Sequence, residues 1–229
     1  PYLGVMLPNA PLHHLLLAEL GYAVVATSGN RGDEPICFED EEVMGRLHAI
    51  ADGFLIHDRP ILRPVDDSIV REVDGRPLIL RLARGYAPSA LRLTGDWRRV
   101  GEEGSVRRRV LGVGGHMKCA VAILDGEEVI VGQHLGDLET PHGWAAYRRG
   151  VGDLQQLFEY RPSRVAADGH PDYGSTQFAR ELGLPVVSVQ HHHAHVLGCL
   201  AENEAALPAL GVAWDGTGDG MDGTIWGGE

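Results

Sequence analysis

The sequence predicts an α/β protein in two unequal parts, and three observations carry that expectation. From residue 109 onward, β-branched and apolar runs alternate with amphipathic ones in the order strand, strand, strand, helix, strand, helix, strand. Residues 1–92 form a smaller α/β pattern, with two helical stretches and two short apolar runs around the turn Asp74-Gly75. Between the two parts, residues 93–108 are polar and charged and include Gly101 and Gly104, which reads as a linker.

Each element has its own signal. Residues 11–20 carry Leu12, Leu15, Leu16 and Leu20 at helical spacing, with Pro11 suited to a first turn and Gly21 to a stop. Residues 22–27 read as a buried strand running into Ser28-Gly29-Asn30. Residues 39–52 read as a helix whose acidic start complements the helix dipole. Residues 68–73 and 77–82 read as strands. In the second part, strands are expected at 110–114, 120–124, 128–133, 164–167 and 185–190. Helices are expected at 145–160, 175–182 and from the histidine cluster to about residue 204.

Three strands followed by helix, strand, helix, strand resembles a ribonuclease-H-like lobe of the actin and sugar-kinase superfamily. Residues 210–214 read as a further strand, followed by a glycine-rich turn at 215–220 and a new strand at 223–227. That hairpin fits the start of a second, truncated lobe, and both chain ends read as cuts through a larger protein.

Composition excludes several functions. The formal charge of -12 argues against a general nucleic-acid surface or an anionic-membrane surface. No apolar run approaches the roughly 20 residues needed to cross a bilayer. Cys37, Cys119 and Cys199 are scattered, without a C-x-x-C pair, which fits reduced thiols in a cytoplasmic protein. The motifs of Rossmann and nucleophile-elbow enzymes are absent.

The chemistry concentrates at VVSVQHHHAHVLG, residues 186–198, where a strand empties into His191, His192, His193 and His195. On a helix, His191 and His195 share one face, and two imidazoles at that spacing can hold one metal ion with further ligands from elsewhere. A polar helix start with solvated histidines is the plainer alternative; a cluster at a strand end favours the metal. Asp215, at the head of Asp215-Gly216-Thr217-Gly218-Asp219-Gly220, completes a two-histidine, one-carboxylate set suited to iron or zinc. Asp168 can orient a ligand histidine or cap the next turn. Lys118, between the first two strands of the lobe, is a phosphate contact or a plain hairpin lysine. Ser28-Gly29-Asn30 can offer donors to an anion or simply turn the chain. Arg59, Arg63, Arg71, Arg81 and Arg84 suit an anionic small ligand, or salt bridges to Asp58, Asp66 and Asp67, equally well.

Two sets of residues then resemble one family. PLHHLLL, TSGN-x-x-x-EPI, LIHDRPI-x-R-x-x-DDS-x-VR and RGYAP resemble the latter part of a YrdC-like domain. GQHLGDLET, HPDYGST, VQHHHAH and DGTG-x-G-x-DGTIWGGE resemble the front of the adjoining metal-binding transferase domain. In this order they resemble the HypF family, the carbamoyltransferases of NiFe-hydrogenase maturation. The family pattern departs at Asn9, at Leu82 (Arg in the family) and at Cys119 (Asn in the family).

The resemblance implies synthesis of carbamoyl adenylate from ATP, with Mg²⁺, and carbamoyl phosphate. Transfer of the carbamoyl group to the C-terminal cysteine of a HypE-like protein would follow. It places Ser28, Asn30, Arg81 and Arg84 near the adenylate, and Lys118 with Gly216, Thr217 and Gly218 at nucleotide phosphates. His191, His195 and Asp215 become the ligands of one divalent metal, iron or zinc, with catalytic roles for these three and for Lys118. It also implies that this stretch alone is inactive. Small-molecule O-carbamoyltransferases share both domains in the opposite order, threonylcarbamoyl transfer to tRNA suits the acidic charge poorly, and a non-catalytic metal-binding scaffold is the alternative from another class.

Overall fold

The structure is a computed structural model that describes residues 2–32, 34–93 and 108–229. Its centre is a six-stranded sheet built from β3 (Ser89–Arg92), β4 (Arg109–Gly112), β5 (Cys119–Asp125), β6 (Glu128–Gly136), β7 (Arg164–Asp168) and β8 (Val186–Val189). The spatial order is β3-β6-β5-β4-β7-β8. β6, β5 and β4 form an antiparallel meander, and β7 and β8 continue from β4 in parallel. Five of these strands reproduce the ribonuclease-H-like arrangement; β3 is an added edge, antiparallel to β6. It comes from residues the sequence assigns to the end of the first part; of the expected linker, residues 94–107 lie outside the described residues.

The helices of this lobe start where local chemistry lets them. α3 (Pro141–Leu157) has Pro141 in its first turn, and the Thr140 hydroxyl accepts from the N–H of Gly143 at 3.0 Å. It packs on β6, and α4 (Gly174–Glu181) packs on β7. Together they bury Leu111, Val121, Ile123, Tyr147, Val165 and Phe178 in one core. Tyr147 is fully buried, meets Trp144 and Phe178 edge-on, and donates its hydroxyl to the carbonyl of Val113 at 3.0 Å. Gly114 must be glycine: it sits at φ +75, and a Cβ there would lie 2.3 Å from the carbonyl oxygen of Ala120.

Before the lobe come α1 (Pro11–Leu20), α2 (Asp40–Leu47), β1 (Ile69–Val73) and β2 (Arg76–Arg81). α1 matches the expected bounds and ends at the left-handed Gly21. α2 is shorter than expected, giving way to a turn after Leu47. β1 and β2 form a hairpin whose two turn residues, Asp74 and Gly75, both have positive φ. This part has almost no core of its own: Cys37 and Ala83 are its buried apolar residues. It leans on the lobe through the N–H of His134 donating to Leu82 (2.7 Å), the Gln133 amide donating to Pro64 (3.0 Å) and an ion pair of Arg63 with Asp153.

Two expected strands are absent. Residues 22–27 are extended but unpaired, with Val25 97% exposed. Residues 210–214 are likewise coil, with Leu210 and Trp214 exposed. Both runs have the composition of a buried strand, but composition alone makes no sheet; in the second run Ala213 is buried and its N–H donates to the carbonyl of Glu229 at 2.6 Å, yet neither run joins a sheet. The hairpin expected here is shifted along the chain: β9 (Gly218–Asp219) pairs with β10 (Ile225–Trp226), so the reversal falls after residue 219, later than the expected turn at 215–220.

Candidate metal centre and nucleotide cavity

The carboxyl ends of the parallel strands β7 and β8 place the site. β7 ends in Asp168, and β8 runs through Gln190 into α5 (His191–Glu202). Gln190 caps that helix, its side-chain oxygen accepting from the N–H of His193 at 2.8 Å. The helix period then brings His191 and His195 onto one face with their Nε2 atoms 3.3 Å apart. Asp215 closes the group: its Oδ2 lies 2.7 Å from His191 Nε2 and 3.5 Å from His195 Nε2. All three donor atoms fall within 4.8 Å of one another.

Asp168 stands behind the first ligand. Its side chain is nearly buried, its Oδ2 is 2.6 Å from His191 Nδ1, and its Oδ1 accepts from the N–H of His170 at 2.9 Å. It therefore both orients the histidine and caps the following turn, the two roles the sequence left open. With Nδ1 engaged by a carboxylate, Nε2 is the nitrogen of His191 turned to Asp215 and His195, which is how a metal-ligating imidazole is usually held. Burial alone would lower the His191 pKa, but the hydrogen bonds and charges of Asp168 and Asp215 outweigh it and leave the pKa raised. Desolvation would raise the Asp215 pKa, but the N–H of Gly216, the hydrogen bond and charge of His191 and the charge of His195 hold it below its ordinary value. Three neutral or anionic donors converging on one point fit a divalent cation.

Within the glycine-rich segment Gly218 packs against α5: a Cβ there would lie 2.6 Å from the ring of His192. That contact lets the segment close over α5 and bring Asp215 to the histidines. The N–H of Gly216 donates to Asp215 Oδ1 at 2.9 Å, and Thr217 is exposed.

The expected nucleotide residues fall largely elsewhere. Ser28, Asn30, Arg81 and Lys118 line one cavity of about 1290 Å³ between the first part and the lobe. Lys118 sits in the β4–β5 connection at φ +48, its N–H donating to Asp137 Oδ1 at 2.6 Å. Among the described residues neither Arg81 nor Lys118 has an ion-pair partner. Ser28 bonds Asn30, and the Asn30 amide donates to Arg31 and Glu34, so this loop is both a built turn and a cavity wall. Arg84 is apart: it pairs with Asp67 and lines a separate cavity of about 270 Å³. For Arg84 the expected salt bridge to Asp67 is realised, whereas Arg63 pairs with Asp153, outside the expected acids.

Sequence reasoning missed Tyr173. Its ring stacks with His170 (4.3 Å, 11°) and His116 (5.4 Å, 17°) and meets His191 edge-on at 6.5 Å. Burial, then the charges of Asp168, Asp215 and Asp219, raise its pKa. The segment HPDYGST was legible, but nothing in its spacing announces a ring stack. Among the described residues no helix is long and apolar enough to cross a membrane.

The fold and site define a mixed α/β protein in which a YrdC-like region is joined to a Kae1-like lobe of the actin and sugar-kinase superfamily. The family described as HypF Kae1-like domain matches residues 105–202, and the Sua5/YciO/YrdC family, described as telomere recombination, matches residues 1–83. Carbamoyltransferase HypF of Synechocystis sp. is 49% identical over 100% of this chain and 29% of its own length. Carbamoyltransferase HypF of Rhodobacter capsulatus is 42% identical, over 99% and 30%. A crystal structure of full-length HypF in the phosphate- and nucleotide-bound form superimposes with a TM-score of 0.89 at 41% identity, covering 99% of this chain and 29% of that one. The HypF of T. kodakarensis gives 0.77 at 29%, covering 89% and 26%. The chain belongs to the HypF carbamoyltransferase family and spans less than a third of the length of these relatives.

Proposed function

We propose that this chain carries parts of two coupled sites of an ATP-dependent carbamoyltransferase acting in NiFe-hydrogenase maturation. The observation that carries the reading is the convergence of His191 Nε2, His195 Nε2 and Asp215 Oδ2, with Asp168 fixing the first imidazole. The large cavity, with Ser28, Asn30 and the unpaired Arg81 and Lys118, supports an anionic nucleotide ligand there. A relative of the same fold binds phosphate and nucleotide. Residues 1–92 then act as the YrdC-like nucleotide part and residues 109–229 as the transferase part.

In this reading water cleaves carbamoyl phosphate to carbamate and phosphate, and a carbamate oxygen attacks the α-phosphorus of ATP, with Mg²⁺, to give carbamoyl adenylate while pyrophosphate leaves. The C-terminal cysteine thiolate of a HypE-like protein attacks its carbonyl carbon; the C–S bond forms, the C–O bond to phosphorus breaks, and AMP leaves with the electron pair. A bound iron or zinc ion would supply Lewis-acid polarisation at this step. The protein orients His191 through Asp168, holds Asp215 against it, and offers Thr217 with the backbone of Gly216 and Gly218 to phosphate oxygens. Lys118 and Arg81 balance nucleotide charge. Arg84 serves the adenylate once released from Asp67.

The test places this sequence in a protein of the relatives' full length, with ATP, Mg²⁺, carbamoyl phosphate and a peptide ending in the HypE cysteine. Pyrophosphate release, AMP release and peptide mass are followed for wild type and His191→Ala. Pyrophosphate from both, but AMP and carbamoyl peptide from wild type alone, is the expected result. A hydroxyl compound or tRNA modified in place of the peptide would overturn the substrate. Metal retained without nucleotide binding or turnover would make the chain a scaffold.

A further inference from the structure

One aromatic side chain beside the metal centre is held by three rings and yet keeps an unengaged polar end. Tyr173 stacks with His170 and His116 and meets the ligand His191 edge-on. Both stacking imidazoles are themselves anchored: His170 Nδ1 accepts from the N–H of Asp172 and His116 Nδ1 from the N–H of Gly174, each at 3.2 Å. Those bonds leave the ring proton of each neutral imidazole on Nε2. Asp168 bonds both the backbone of His170 and the ring of His191, so a single carboxylate sets the Tyr173 loop and the metal ligand in register.

The Tyr173 hydroxyl has no hydrogen-bond partner among the described residues, although the residue is half-buried. Packing alone would be served by phenylalanine. A phenol whose ring is fixed against a metal-ligating imidazole, with its donor unused, suits a ligand oxygen arriving at the centre. We propose that Tyr173 is a ligand-contacting residue of the metal centre, its O–H donating to an oxygen of a phosphoryl group bound there. The proposal rests on the metal reading of His191, His195 and Asp215.

The experiment loads the purified protein with cobalt(II), whose visible absorption reports the ligand field, and titrates it with inorganic phosphate. Wild type and Tyr173→Phe, which keeps the ring stack, are compared for cobalt content and for the phosphate response. Equal cobalt content with phosphate binding weakened about tenfold in the variant is expected, the size of one hydrogen bond to a charged group. Equal cobalt content and equal phosphate affinity would overturn the proposal and leave the metal site standing. Loss of cobalt in the variant would also overturn it, by making Tyr173 a metal ligand. Failure of wild type to take up cobalt would remove the metal reading itself, and the proposal with it.

Discussion

The carboxylate of Asp168 lies 2.6 Å from Nδ1 of His191, and it is the side chain that turns the opposite nitrogen of that ring toward Asp215. Removing it leaves all three donor atoms in the chain but frees the ring to rotate. Asp168→Ala is therefore expected to weaken divalent-metal affinity by about 10- to 100-fold, the usual cost of losing a carboxylate behind a ligand histidine. His195→Ala, which removes a donor outright, is expected to lose more. Competition titration against a chelating dye measures both, and an unchanged affinity in Asp168→Ala would refute the orienting role.

Lys118 and Arg81 share a cavity that the metal trio does not line. Lys118→Ala and Arg81→Ala are each expected to weaken nucleotide binding about tenfold, in a salt-dependent way, while metal content stays at the wild-type level. Isothermal titration with AMP, at two salt concentrations, separates the two sites. A variant that lost metal and nucleotide together would show the sites to be one.

Within the lobe, the carbonyl of Val113 accepts both the Tyr147 hydroxyl and, more weakly, the Cys119 thiol. Tyr147→Phe leaves the ring contacts with Trp144 and Phe178 in place and removes the stronger bond. It is expected to destabilise the fold by about 1 kcal/mol, whereas Leu111→Ala in the same core costs about 2–5 kcal/mol. Urea denaturation of the two variants gives the comparison, and Tyr147→Phe costing as much as Leu111→Ala would refute this assignment.

What the sequence revealed follows from where each element finds its partners. β4, β5, β6 and β7 bury one another's apolar residues within 109–168, so local pattern and tertiary packing agree there, and β8 adds to them through its ladder with β7. Residues 22–27 and 210–214 carry the same apolar signal without joining a sheet, because hydrophobicity reports a need for burial and not its fulfilment. β3 shows the converse: Ser89–Arg92 has little signal of its own and is made a strand by β6. The convergence of His191, His195 and Asp215 was readable because side chains able to hold a metal are few in kind and two of these are fixed in helical spacing. Tyr173 was not, because its position depends on rings contributed by three separate segments of the chain.

The three cysteines differ sharply in access, and the difference has a pH signature. Cys199 is exposed on α5, whereas Cys37 and Cys119 are buried. At pH 8 an aromatic disulfide reagent is expected to label Cys199 at once and the other two only on unfolding. Burial, reinforced by the charge of Asp137, pushes the Cys119 thiol from 9.0 up to about 12. In the unfolded chain that thiol ionises near its ordinary value, so from about pH 9 the unfolded state loses the proton first. Stability is therefore whole below pH 9 and declines as pH rises toward 12. Tyr160, its phenol raised by burial to about 12, steepens the decline above pH 10. Cys119→Ala is expected to flatten the portion of the denaturation-midpoint curve that begins near pH 9, leaving the tyrosine portion intact. A wild-type curve level from pH 8 to pH 11, or rapid labelling of Cys119 itself at pH 8, would place Cys119 in contact with solvent and refute its position in the core.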